Sequence, residues 1–149
     1  MPQSPQSTEA ANEWVVRRLV GELNEGSLDV LDEVFDSGYR TRMVRPGSGD
    51  AVGDREGLRS VTEAYLTAFP DYHERVLEIL ADGDRVVTYT EVTGTHDGPL
   101  YGVEPTGESV RFHRFGIYWL RDGQIVRSAG VAEWPRLLGQ LGVDLPVEE

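Results

Sequence analysis

The stretch from Gly107 to Val131 constrains this chain more than any other. Two alternating apolar segments, Glu108 to Leu120 and Gln124 to Val131, flank Arg121-Asp122-Gly123. Asp-Gly between such runs is the strongest short-range hairpin signal, because the tight turn that matches the strand twist needs positive φ at both central residues. Along the first segment Val110, Phe112, Arg114, Gly116, Tyr118 and Leu120 share one face, and Arg111, His113, Phe115, Ile117 and Trp119 share the other. Both faces are largely apolar. Such a strand is central, covered by helices on one side and by another layer or subunit on the other. The hairpin is read as one wall of a ligand pocket, with Arg114, Gly116, Tyr118, Ser128 and Gly130 on the pocket side.

The 149 residues suffice for one domain with a real core. That domain is expected over residues 8–143, between a disordered Pro, Gln and Ser tail at 1–7 and an acidic tail at 144–149. No run approaches the roughly 18 apolar residues of a membrane span, and the N-terminal residues lack both parts of a signal peptide. A cytoplasmic location is expected. With no Cys, disulfides, thiolate metal sites and Cys nucleophiles are excluded. The net charge of −12 comes from 26 acidic residues against 14 basic ones, and every basic residue is Arg. Without Lys no Schiff-base chemistry is available. Arg-only usage beside so many acids fits a GC-rich genome or a high-salt cytoplasm. So acidic a surface excludes nucleic acid and anionic membranes as partners, since both demand a basic footprint.

From Thr8 to Leu23 the spacing predicts a helix, with Thr8 as N-cap and Val16, Leu19, Val20 and Leu23 on one face. Ser27 is expected to cap a second, short helix bearing Leu28, Leu31 and Phe35, closed by Ser37-Gly38. Tyr39 to Val44 reads as a strand and Pro46 to Asp54 as a plain glycine-rich connection. A third helix, Arg55 to Phe69, carries Leu58, Val61, Tyr65 and Phe69 on one stripe and stops at Pro70-Asp71. From Tyr72 to Val131 the pattern is β. Tyr72 to Ala81, a turn at Asp82-Gly83-Asp84, Arg85 to Thr95, a loop from His96 to Thr106 and the hairpin form an antiparallel meander. Trp134-Pro135 opens a final helix to Leu141. The fold class is α+β: a strongly curved, mostly antiparallel sheet wrapped around three N-terminal helices, with a short C-terminal helix.

Six pieces stand in register along this order. They are Ala68-Phe69-Pro70-Asp71, Asp82-Gly83-Asp84-Arg85-Val86, Gly94-Thr95-His96, Pro105-Thr106-Gly107, Asp122-Gly123-Gln124-Ile125-Val126 and Leu137-Leu138-Gly139-Gln140-Leu141-Gly142. Together they resemble the SnoaL-like polyketide cyclase family from about residue 12 to 143. The resemblance implies the cone-shaped fold of the nuclear-transport-factor-2-like superfamily and a homodimer packed through the outer sheet face. That superfamily holds isomerases, epoxide hydrolases, cofactor-free hydroxylases and non-catalytic members, so fold alone does not settle function. It also implies an acid/base carboxylate on the last strand, where this chain has Gly130, and a polar partner on the strand before, where it has Gly116. The family's His and Trp after the Ile-Val pair are replaced within Arg127-Ser128-Ala129-Gly130, and a further position, often His, is Arg42.

Proton abstraction beside a carbonyl needs a base within about 3 Å, so the chemistry has moved or been lost. Glu133 is the carboxylate nearest the vacated position; against the indole of Trp134 in a dry pocket it would have a raised pKa, and otherwise it is a first-turn acid of the last helix. Arg114 on the pocket face must meet a substrate anion, an enolate or an internal carboxylate. Tyr118 on that face either donates to an oxyanion or packs as core. Glu133, Arg114 and Tyr118 are thus the catalytic candidates, and Arg42, Tyr65, Phe69, His96, Phe112, Gly116, Ser128, Gly130 and Trp134 the substrate-binding ones. His96 is also read as fixing its loop. His73, His96 and His113 show no ligand spacing, so neither metal nor organic cofactor is expected. The expected partners are an apolar small molecule and a second copy docked through His113, Phe115, Ile117 and Trp119. Three functions stay open. The first is cofactor-free acid/base cyclisation or isomerisation of a polyketide-like substrate in secondary metabolism. The others are a non-catalytic ligand-binding or dimerising domain and a cofactor-independent oxygenase. A cavity on which two or more of Glu133, Arg114, Tyr118 and Tyr65 converge favours catalysis; one filled by Phe112 and Trp134 favours the accessory role.

Overall fold

The computed structural model describes residues 5–45 and 49–143. Its elements are α1 (Pro5–Asn24), α2 (Asp29–Val34), β1 (Phe35–Arg45), β2 (Gly49–Asp54) and α3 (Arg55–Ala68), then β3 (His73–Asp82), β4 (Arg85–Thr95), β5 (Ser109–Arg121), β6 (Gln124–Ala132) and α4 (Trp134–Gln140). The strands form a six-stranded open sheet in the order β2-β1-β6-β5-β4-β3. β1 runs parallel to β6 and every other neighbouring pair is antiparallel. The α+β order and the meander from β3 to β6 are as expected. At the hairpin turn Asp122 and Gly123 have φ of 52° and 79°, the two positive values that the Asp-Gly signal anticipates.

Helices cover one face of the sheet and meet it in two core clusters. Val16, Leu19, Val30, Leu31 and Phe35 pack with Tyr39, Val86, Leu120 and Ile125. Phe69, Val92, Leu100, Val110, Phe112, Leu137 and Leu141 form the other cluster. Among the described residues no helix is long and apolar enough to cross a membrane.

Several expected boundaries move. α1 starts ahead of Thr8, at Pro5, so Thr8 is not its cap, and residues 1–4 and 144–149 of the expected tails lie outside the described residues. The N-cap of α2 is Leu28 rather than Ser27, and the helix ends at Val34. Phe35 already has the extended φ and ψ of β1, at −102° and 130°. Ser37-Gly38 therefore closes no helix; it lies where the β1–β6 register shifts between Phe35 and Arg40, the mark of a β-bulge. The glycine-rich stretch is also more than a connection. Gly49 to Asp54 pairs with β1 as the edge strand β2, while residues 46–48 lie outside the described residues. Its backbone hydrogen bonds supply the order that its side-chain pattern hides. Asp54 then caps α3 by accepting from the Gly57 amide at 2.9 Å.

Tight contact between the loop after β4 and the end of α3 fixes that corner of the fold. A Cβ at Gly98 would stand 2.6 Å from the Thr67 carbonyl oxygen, and one at Gly94 would stand 2.9 Å from Phe69 Cβ. Asp71 locks the same corner, accepting from the Thr95 amide and the Thr95 hydroxyl at 2.7 Å each. Those two bonds hold its carboxyl below the usual carboxylate range. A depressed pKa stabilises the fold above the ordinary titration near pH ~4 and loses that effect as pH falls further. Asp71→Asn is accordingly expected to lower the melting temperature at neutral pH, with the two melting curves converging as acid protonates Asp71 in the folded protein.

Candidate functional site

Between the two core clusters lies a cavity of about 110 Å³. Leu19, Leu23, Leu31, Phe35, Leu58 and Val61 give it an apolar wall, and Tyr65, Tyr72, Phe112 and Trp134 an aromatic one. Glu74, Arg114, Tyr118 and Ser128 bring polar atoms to it. Few polar groups converging in an apolar hollow is the usual form of a small-molecule site.

Glu74 on β3 organises that polar end. Its residue is 6% exposed, and Oε1 accepts from the Tyr72 hydroxyl at 2.8 Å while Oε2 accepts from Thr90 Oγ1 at 2.7 Å. Arg114 Nη1 lies 3.2 Å and 3.4 Å from the two carboxylate oxygens. The Glu74 backbone is gripped as well, since its amide donates to Asn24 Oδ1 at 2.7 Å and its carbonyl accepts from Asn24 Nδ2 at 2.9 Å. Glu74 is thus fixed from α1, β4 and β5 together. The carboxylate holds the Arg114 guanidinium far above its ordinary value despite burial.

Burial pushes the Tyr118 hydroxyl up to about 12, with Arg114 opposing and Glu74 adding to the rise. It remains a protonated donor through the physiological range. Burial also raises Tyr65 and Tyr72. Tyr65 shares a 2.7 Å hydroxyl contact with Tyr101, which folds over the cavity edge against Tyr65 and Trp134 with ring centroids 6.1 and 6.0 Å away. Ser128 is engaged by Tyr39 at 2.5 Å and donates to Thr41 at 3.1 Å. A guanidinium beside a neutral phenol can bind a developing oxyanion, and a carboxylate next to them can accept a proton from the adjacent carbon.

Arg114, Tyr118 and Tyr65 converge on the cavity, with Phe112, Trp134 and Ser128 in its lining. Phe112 and Trp134 border the hollow without filling it. Glu133 is elsewhere. It sits on the outward side at the start of α4 and accepts from the His113 amide at 2.7 Å, with His113 Nδ1 2.5 Å away. Burial would raise its carboxyl, but the hydrogen bonds from His113 prevail and lower it, opposite to the expected direction. The cause is strand alternation: Ser128, Gly130 and Ala132 pair with Tyr118, Gly116 and Arg114 on the cavity face, which leaves Glu133 on the His113 face.

Five other candidates also lie off the main cavity lining. Arg42 is exposed on β1, where the inward positions are Tyr39 and Thr41. Phe69 caps α3 and packs in the core. His96 is fully buried under its loop, its Nδ1 accepting from the Thr106 amide at 3.2 Å, which places it in the loop-fixing role. Gly116 and Gly130 face each other across β5 and β6 and border a smaller chamber behind Tyr118. Among the described residues no group of three or more His, Asp or Glu could hold a metal ion. Sequence reasoning misses Glu74 and Tyr72. Tyr72, Glu74 and Val76 share one parity at the start of that strand, and this, with the need of Arg114 for an internal carboxylate, is the signal that could have found them.

A family model for SnoaL-like polyketide cyclases matches residues 13–141. The candidate hydroxylase AclR from Streptomyces galilaeus superposes with a TM-score of 0.83 at 28% identity, over 93% of this chain and 86% of that one. A candidate SnoaL-like polyketide cyclase from Jannaschia sp. CCS1 gives 0.81 at 24% identity, over 97% and 99%, a likeness of fold. The candidate polyketide cyclase IdmH from Streptomyces antibioticus gives 0.76 at 27% identity, over 95% and 100%. Among curated proteins none matches significantly.

The pair at the heart of the cavity predicts a non-additive stability pattern. Arg114→Met or Glu74→Leu alone leaves a charge without its counterion and is expected to cost about 3 kcal/mol. The double substitution is expected to recover most of that loss in urea denaturation.

Proposed function

The chain belongs to the SnoaL-like polyketide cyclase family, and from that membership we propose that it is an enzyme which cyclises or isomerises an apolar, enolisable small molecule using its own side chains. The observation that carries this reading is the Glu74–Arg114 pair beside Tyr118 at one end of an apolar cavity. Arg114 and Tyr118 bind the substrate carbonyl oxygen, and Glu74 accepts the proton from the adjacent carbon. The Arg114 contacts to Glu74, at 3.2 and 3.4 Å, are longer than the roughly 2.7–2.9 Å of tight charge-assisted pairs. The guanidinium can therefore shift toward the substrate oxygen as negative charge arrives there.

A second reading, cofactor-independent hydroxylation, is supported by the likeness to AclR. It begins from the same enolate, held by the same two donors, and differs in what attacks it. Oxygen uptake with an electron-rich substrate separates the two.

The acid/base core of the proposal is tested with β-tetralone, an apolar bicyclic ketone, by following α-hydrogen exchange in deuterated water by NMR. The protein is expected to accelerate exchange over buffer. Glu74→Gln is expected to lower that rate by about a hundredfold or more, and Tyr118→Phe or Arg114→Ala by about tenfold or more. Exchange at the native rate in folded Glu74→Gln would remove Glu74 as the base.

The proposal includes a second copy of the chain on the outward sheet face. Leu80, Val87, Phe115 and Val131 are exposed there, with Tyr89 stacked on Phe115 at 4.4 Å. Leu80, Val87, Ile117 and Ala129 succeed one another in register across four strands. The face also carries His113 and Trp119, and contiguous apolar surface of this kind marks an association site. Phe115→Asp is expected to halve the mass measured by light scattering; an unchanged mass would place any interface elsewhere.

A further inference from the structure

Gly116 and Gly130 stand opposite each other in the β5–β6 register, yet the backbone demands only one of them. A Cβ on Gly130 would lie 2.7 Å from the Phe115 carbonyl oxygen, a clash that no side-chain movement relieves. The three atoms nearest a Cβ on Gly116 all belong to side chains and none comes closer than 3.3 Å: Thr88 Oγ1 at 3.3 Å, and the Tyr118 ring and hydroxyl at 3.5 and 3.7 Å. Neither residue has positive φ. Gly116 keeps open a space that the strand itself does not require.

That space is a chamber of about 20 Å³ lined by Glu74, Thr88, Thr90, Arg114, Tyr118 and Ser128 around the two glycines. Four of these residues, Glu74, Arg114, Tyr118 and Ser128, also line the main cavity and so separate the two. The volume suits one water, which needs roughly 10–15 Å³ and two to four polar partners. Apolar contents would leave hydroxyls and an ion pair poorly solvated on that side. An atom near the Gly116 Cβ position is within reach of both Thr88 Oγ1 and the Tyr118 hydroxyl.

We propose that this chamber is a binding site for one ordered water, which accepts from Thr88 Oγ1 and donates to the Tyr118 hydroxyl oxygen. The inference rests on the reading of Tyr118 as the oxyanion donor, and makes the water a tuning element of that donor. A phenol that accepts a hydrogen bond at its oxygen donates its own proton more strongly, because successive bonds polarise one another. Tyr118 thereby faces the cavity with its proton and the chamber with its lone pair.

A high-resolution crystal structure and the titration of bound β-naphthol, read by absorbance, test this together. The native protein is expected to show a water peak within hydrogen-bond distance of Thr88 Oγ1 and the Tyr118 hydroxyl. Gly116→Ala, which places a methyl in the chamber, is expected to lose that peak. The native protein is also expected to lower the pKa of bound β-naphthol below its value in solution. Gly116→Ala and Thr88→Val should each raise it again by about half a unit to one unit, and Gly116→Ser, with a hydroxyl in place of the water, should restore it. A native chamber without the peak, or variants that titrate like the native protein, overturns the proposal. Tyr118→Phe separates the two levels: an unchanged β-naphthol pKa there removes Tyr118 as donor and the tuning role with it, while the crystal still decides the water site.

Discussion

Burying a carboxylate and a guanidinium together is costly unless each finds its partner and its remaining hydrogen bonds. Glu74 and Arg114 meet that condition by drawing on every element around them. The carboxylate comes from β3, the guanidinium from β5, and the Thr90 hydroxyl from β4 between them. Asn24, at the end of α1, reads the Glu74 backbone in both directions. The contact that docks the first helix on the sheet is therefore the one that sets the height of the carboxylate in the cavity. A shift of α1 would move the polar end of the site with it.

The two glycines divide their work in a way that their facing positions conceal. Gly130 lets β5 and β6 approach closely, and its side chain is excluded by a backbone oxygen. Gly116 leaves room that only side chains would contest. Tyr118 leans into that room and so lines both the chamber and the main cavity.

How much of this is legible in the chain depends on the range over which each signal acts. The hairpin, α3 and the α+β order rest on local periodicity and one turn, and the fold obeys them. Gly49 to Asp54 pairs as β2 despite its turn-like composition, because its order comes from the β1 backbone. Ser37-Gly38 marks a bulge with the residues that would end a helix. Glu133 shows the limit most plainly. It is the carboxylate nearest Gly130 along the chain, but three positions on, strand alternation places it on the other face against His113. Glu74 escapes for the opposite reason: in the run His73-Glu74-Arg75 it resembles a solvated charge, and its partner is 40 residues away. Arg114 on an apolar face does require an internal carboxylate, but one chain position cannot say which.

The placement of Glu74 against Arg114 bears on why a paired carboxylate can still serve as a base. Creating a new charge in a low-dielectric cavity is expensive, and a lone base would have to hold its own charge there before the reaction began. In the proposed step the negative charge only moves, from the Glu74 oxygens to a substrate oxygen beside the same guanidinium. Arg114 neutralises it before and after, so the cavity carries no net charge at either stage. What the transition state gains is a stronger Tyr118 hydrogen bond, because the carbonyl oxygen that Tyr118 holds takes on negative charge. That difference between the two states, rather than the strength of the ion pair itself, is what lowers a barrier.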